Sequence, residues 1–234
     1  MPAADRLIVA LDLAEPAAAL KVARRLRGVA PWIKIGSALF TRAGPAIVRR
    51  VRALGFQVML DLKFFDIPST VELSCRSATR HGIGLLTVHA GGGADMLRAA
   101  VLGVRAEAAR VRLPRPKVLA VTVLTSVGGS AASARRRVLA LAATAQAAGC
   151  DGVVASAQEA RPIRTRFGPR LLIVCPGIRP AASGRHDQRR VCGPSEALAR
   201  GADYLVIGRP ITEAADPRRA VSEILRDMEG ERVC

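Results

Sequence analysis

Phe56-Gln57-Val58-Met59-Leu60-Asp61-Leu62-Lys63-Phe64-Phe65-Asp66-Ile67-Pro68 is an apolar run of strand length that breaks into charge and then meets a proline. Proline is suited to the first turn of a helix, so the stretch reads as a strand, a charged exit and a helix start, which is one βα unit. In extended backbone, residues two apart point the same way. Asp61 and Lys63 would therefore share a face while Leu62 turns into the packing.

The same unit recurs outward in both directions. Apolar runs lie at 7–12, 32–36, 56–61, 84–89, 118–124, 152–155, 171–175 and 204–208. They are nearly continuous in Val, Ile and Leu rather than alternating, as expected of parallel strands covered on both faces. Between them, alanine- and arginine-rich segments carry apolar residues at helical intervals, with helices predicted over 17–26, 45–54, 68–81, 94–109, 134–148 and 218–228. Stretches 110–116 and 181–187 read as longer loops. Eight strand-helix repeats predict an α/β fold, a single (β/α)8 TIM barrel filling residues 1–234 as one domain. A doubly wound open sheet is the structural alternative, but it favours a glycine fingerprint after the first strand. Here that strand ends in Asp12-Leu13-Ala14.

Composition narrows the function classes. The five cysteines, Cys75, Cys150, Cys175, Cys192 and Cys234, are scattered with no C-x-x-C pair. That pattern suggests neither a disulfide framework nor a zinc site, and it fits a reducing cytoplasm. The first apolar run, Leu7 to Leu11, stops at Asp12, too short for a signal core or a membrane span. Lys and Arg outnumber Asp and Glu by 36 to 19, a net charge of +17 that favours anionic ligands through the overall field. The arginines are spread over predicted helices, and only 3% of residues are aromatic, so little is available to stack on bases. Nucleic acid is not the expected partner.

In a barrel of this kind, reactive groups stand where strands end. Asp12 closes the first run, Lys34 lies in the second, Asp61 and Lys63 follow the third, His89 the fourth and Thr125 the fifth. A lone buried charge is strongly unfavourable, so these groups are expected to converge on one another. If Lys34 joins Asp61, Lys63 and Asp66, ammonium and carboxylate alternate and each keeps the other charged, with no metal required. A surface ion-pair ladder is the bland reading of D-x-K-x-x-D. Its place between an apolar strand and a proline-opened helix favours a site. His89 is one of only three histidines and has no ligand spacing around it, which points to a hydrogen-bonded barrel residue rather than a metal ligand. Cys175 and Cys192 read as core or loop thiols.

These segments resemble the orotidine 5'-phosphate decarboxylase family. The resemblance lies in Ile8-Val9-Ala10-Leu11-Asp12, Ile33-Lys34-Ile35-Gly36, Asp61 to Pro68 with Thr70, and Thr87-Val88-His89-Ala90. It continues through Leu124-Thr125-Ser126, Pro176-Gly177-Ile178-Arg179, Asp187-Gln188 and Val206-Ile207-Gly208-Arg209-Pro210-Ile211-Thr212, in the family's order.

The resemblance implies decarboxylation of orotidine 5'-monophosphate to UMP in de novo pyrimidine synthesis, with no cofactor and no metal, in a homodimer with shared active sites. It implies Lys63 as proton donor, Asp61 beside the departing carboxylate, Lys34 in the array and on the ribose, and Asp66 reaching over from the second subunit. Asp12 would hold ribose hydroxyls, Thr125 the pyrimidine, and Arg179, Gln188, Gly208 and Arg209 the phosphate; Ile67 and Thr70 would contribute across the interface. Two departures stand out. Ser69 replaces the asparagine common after Ile-Pro, and Val191-Cys192-Gly193-Pro194 is one residue longer than the common Val-Thr-Pro, which bears on the loop carrying Gln188. The enzymatic rival is a magnesium-dependent sugar-phosphate decarboxylase or aldolase with the same barrel. Those carry an acidic residue after the second strand, where this chain has Lys34. A basic binding or regulatory barrel without catalysis is the rival from another class, and the intact array argues against it.

Overall fold

The computed structural model of the chain describes residues 1–123, 131–180 and 192–230. Eight parallel strands close into a barrel in chain order, β1 (Leu7–Ala10), β2 (Trp32–Gly36), β3 (Gln57–Phe64), β4 (Leu85–His89), β5 (Lys117–Val121), β6 (Gly152–Val154), β7 (Leu172–Pro176) and β8 (Tyr204–Ile207), with β8 pairing back onto β1. The helices are α1 (Ala3–Arg6), α2 (Pro16–Leu26), α3 (Ser37–Ala43), α4 (Ala46–Ala53), α5 (Pro68–Thr79), α6 (Gly93–Val111), α7 (Ala131–Ala147), α8 (Ala157–Phe167), α9 (Pro194–Ala199), α10 (Arg209–Thr212) and α11 (Pro217–Met228). This is the expected (β/α)8 barrel. Among the described residues, no helix is long and apolar enough to cross a membrane.

Helix boundaries follow local chemistry. Pro16, Pro68 and Pro217 open α2, α5 and α11, where a missing N–H costs nothing. The Asp216 carboxylate accepts the Arg218 N–H at 3.0 Å and caps α11. On α2 the buried face is Ala19, Leu20, Ala23 and Leu26, a helical spacing that seats the helix on the sheet. The predicted 45–54 helix is preceded by a second one, α3, which the turn at Gly44 (φ 59°) and Pro45 separates from α4. Stretch 110–116 is helical only at its start, because α6 runs on to Val111.

Strand parity produces two cores. Outward residues such as Val9, Ile33, Ile35, Val58, Leu60, Leu86 and Val88 pack under the helices. Inward residues Ile8, Met59, Leu85, Leu119, Val174 and Tyr204 fill the barrel, with Trp32 edge-on to Tyr204 at 5.9 Å. The same parity sends Lys34 and Asp61 inward, because their neighbours Ile33, Ile35 and Leu60 face out. The barrel floor is thus apolar and its carboxyl-terminal mouth is charged.

Candidate active site

At the mouth, Lys34 Nζ stands 2.7 Å from Asp12 Oδ1 and 3.4 Å from Asp61 Oδ2, and Lys63 Nζ stands 2.9 Å from Asp61 Oδ2. The side chains of Lys34 and Asp61 are 9% and 10% exposed, whereas Lys63 is 40% exposed and Asp12 61%. Charge therefore alternates from rim to interior and back. Burial is the largest influence on Asp61 and by itself raises its pKa. Lys34, Lys63 and the hydrogen bonds from Lys63 and Thr87 together outweigh it and hold the carboxyl below its ordinary value. Asp61 is an anion at neutral pH despite its burial.

The reason Asp61 and Lys63 meet differs from the extended-strand expectation. Leu62 does pack outward, but Lys63 has φ 49°, in the left-handed region, and the pairing of β3 with β4 shifts register between Leu60 and Phe64. Left-handed backbone costs a non-glycine residue roughly 1–2 kcal/mol. The kink is held by Thr87, whose Oγ1 accepts the Lys63 N–H at 3.0 Å. The same hydroxyl donates to Asp61 Oδ1 at 2.9 Å.

Within the chain the second carboxylate of the array is Asp12, not Asp66. Asp66 is exposed and its Oδ1 accepts the N–H of Ile67 at 2.7 Å. Ile67 and Thr70 are exposed as well, and neither lines the cavity over the array of their own subunit. The sequence alone does not mark Gly36 as a site residue, yet a Cβ there would fall 2.7 Å from Asp12 Oδ1 and 3.1 Å from Lys34 Nζ. The array needs that space empty. The signal that marks Thr87 is a hydroxyl at an inward position within the apolar run of β4 that precedes His89.

A cavity of about 620 Å³ opens over the array. Its walls include Met59, Val121, Val154 and Val206, and at the exits of β7 and β8 it is lined by Gly177, Arg179, Gly208 and Arg209. Arg179 is buried and its N–H donates to the Cys192 carbonyl at 3.1 Å, while Ile178 and Cys192 form a parallel bridge. Cys192 and the chain entering α9 are thereby docked on the β7 exit. Gly208 (ψ −99°) accepts the N–H groups of Ile211 and Thr212 and opens α10. Thr125 and Gln188 lie outside the described residues. His89 Nδ1 accepts the Gly91 N–H at 3.2 Å and its ring lies 5.5 Å from Phe65; burial first, then Arg137 and Lys63, lower its pKa.

An alternating set of charges, its two central members buried, at the carboxyl-terminal mouth of a closed parallel barrel, facing glycine and arginine at the last two strand exits, defines a barrel enzyme for a phosphorylated, anionic small molecule. The family model described as orotidine 5'-phosphate decarboxylase / HUMPS family matches residues 5–224. The orotidine 5'-phosphate decarboxylase of Moorella thermoacetica is 49% identical, over 98% of this chain and 94% of its own length. That of Nitrosococcus oceani is 46% identical over 94% and 96%. The crystal structure of orotidine 5'-phosphate decarboxylase from Lactobacillus acidophilus superposes with a TM-score of 0.82 at 33% identity, covering 98% of this chain and 100% of that one. The chain belongs to the orotidine 5'-phosphate decarboxylase / HUMPS family.

Proposed function

We propose that this chain decarboxylates orotidine 5'-monophosphate to UMP in de novo pyrimidine biosynthesis, as a cofactor-free carbon-carbon lyase and a cytoplasmic homodimer, with residues 1–234 as one catalytic domain. The observation that carries the reading is the Asp12–Lys34–Asp61–Lys63 array at the barrel mouth.

Breaking the bond between C6 and the carboxylate releases carbon dioxide and leaves an electron pair on C6. Lys63, the more exposed of the two lysines, stabilises that charge from a fixed position and then delivers a proton from Nζ to C6. Asp61 lies beside the departing carboxylate and holds the Lys63 ammonium in place. Lys34 and Asp12 take the ribose hydroxyls, Arg179, Gln188, Gly208 and Arg209 the phosphate, and Thr125 the pyrimidine. A guanidinium fork matches phosphate geometry, and glycine lets backbone approach it closely.

Asp66 belongs to the neighbouring site in this reading, with Ile67 and Thr70 beside it. In support, the loop that carries it is exposed and apolar: Phe65 is 63% and Ile67 64% exposed, and Leu73 and Leu102 of α5 and α6 are 66% and 59% exposed. Large exposed apolar side chains on a loop and on the two helices α5 and α6, which pack together, are the material of an association surface.

A magnesium-dependent sugar-phosphate decarboxylase or aldolase is the rival. Lys34 Nζ fills the space between Asp12 and Asp61 where a divalent cation would have to sit, and Lys63 adds a second positive charge. That donor set repels a metal ion. Turnover in heavy water tests the mechanism: UMP formed in step with carbon dioxide and carrying one deuterium at C6 is the expected product, and carbon dioxide release without C6 labelling contradicts it.

A further inference from the structure

Asp61 is held at both oxygens. Its Oδ2 faces the two ammonium groups, and its Oδ1 accepts the Thr87 hydroxyl at 2.9 Å. Thr87 is fully buried on β4 and lies inward by the strand's parity, between the outward-packed Leu86 and Val88. Its one hydroxyl hydrogen goes to Asp61, which leaves the oxygen's lone pairs for the Lys63 N–H at 3.0 Å. The register shift of β3 between Leu60 and Phe64 places the Lys63 N–H on this side chain, and Lys63 keeps φ 49° there. A β-branched residue has little χ1 freedom, so the hydroxyl is fixed before substrate arrives.

We propose that Thr87 is a positioning residue of the decarboxylation, because its hydroxyl pins the Asp61 carboxylate and the kinked Lys63 backbone together and so sets where the Lys63 ammonium meets C6. This rests on the decarboxylase reading. Without the hydroxyl, one buried carboxylate oxygen loses its donor and the Lys63 N–H loses its acceptor. The carboxylate is then free to turn about its Cβ–Cγ bond, carrying Oδ2 away from Lys63. A displacement of that kind weakens transition-state stabilisation more than substrate binding, since the phosphate contacts lie at the exits of β7 and β8 and Lys34, which takes the ribose, keeps its closer bond to Asp12.

The test compares Thr87→Val, Thr87→Ala and Thr87→Ser with the wild type, following decarboxylation of orotidine 5'-monophosphate and amide hydrogen exchange at Lys63. Valine and alanine are expected to lower kcat about 10- to 100-fold, the range for losing a hydrogen bond to a charged group. KM is expected to stay within about threefold and serine to recover most of kcat, since only the hydroxyl is shared. The Lys63 amide is expected to exchange at least about tenfold faster in the valine and alanine variants. The serine and alanine variants both lack the methyl group and differ in the hydroxyl alone, so that pair decides if valine does not fold. Equal kcat in serine and alanine, or an effect confined to KM, overturns the proposal. If the wild type releases no carbon dioxide, the decarboxylase reading fails by itself, and unchanged Lys63 exchange in the alanine variant would then overturn the positioning contact separately.

Discussion

Lys63 has one bond that fixes its end and one that fixes its root: Nζ on Asp61 and N–H on Thr87. Its side chain is 40% exposed, so its removal opens no large buried void, and Asp61 keeps Lys34 as a partner. Lys63→Ala is therefore expected to lower kcat by at least about a thousandfold, the loss of both proton donor and fixed charge, while the melting temperature moves by only a few degrees. Turnover measured beside a thermal melt checks this, and a loss of only a few-fold removes Lys63 from the role. At this scale the sequence marked Asp12, Lys34, Asp61 and Lys63, because charges that end apolar strands must find one another. It hid Gly36 and Thr87. Their roles depend on which side chains cross the barrel mouth and on the β3 kink, and a left-handed lysine inside a strand breaks the period-two rule from which its direction was read.

Helices α5 and α6 approach each other closely through their backbones. A Cβ on Gly103 would lie 2.8 Å from the Glu72 carbonyl, so glycine lets the two backbones close up. Glu107 on α6 has a fully buried side chain that takes Arg80 Nε at 2.6 Å, Arg110 Nη2 at 2.6 Å and Arg76 Nε at 3.4 Å. The hydrogen bond from Arg110 is the main cause that brings its pKa down to about 2, with Arg80 adding to it against the cost of burial. The sign follows from that depression. The clamp contributes stability in full above the unfolded value near 4.5 and loses it as pH falls toward about 2. Glu107→Gln is expected to be less stable than the wild type at neutral pH, with the gap narrowing over that window. Melting curves across the window check this, and a gap that does not change with pH contradicts it. Periodicity in the sequence marked both helices, but an arginine on a predicted amphipathic face reads as solvated until the partner helix is in place. Helix α8 was harder to read for a different reason, because Pro162 interrupts its middle.

For the whole molecule, the closed barrel was legible because eight apolar runs alternate with helical spacing, and short parallel strands covered on both faces have few other ways to hide their edges. The proposed subunit association comes from family resemblance, and the exposed apolar side chains of the Asp66 loop and of α5 and α6 are compatible with it. Leu102→Glu places a charge on α6 at a position 59% exposed, where the single subunit has little packing to lose. A folded monomer by sedimentation, with kcat down about a hundredfold or more for want of the partner subunit's carboxylate, is the expected result. A fully active monomer contradicts the shared site. The +17 charge gives the whole surface an attraction for a phosphate ester that salt should screen.

The most direct measurement is the absorbance of orotidine 5'-monophosphate after addition of metal-free protein in excess chelator. A steady fall to the UMP spectrum, unchanged when magnesium is restored, is the predicted result; no change from a folded dimer, or turnover that appears only with magnesium, contradicts the account.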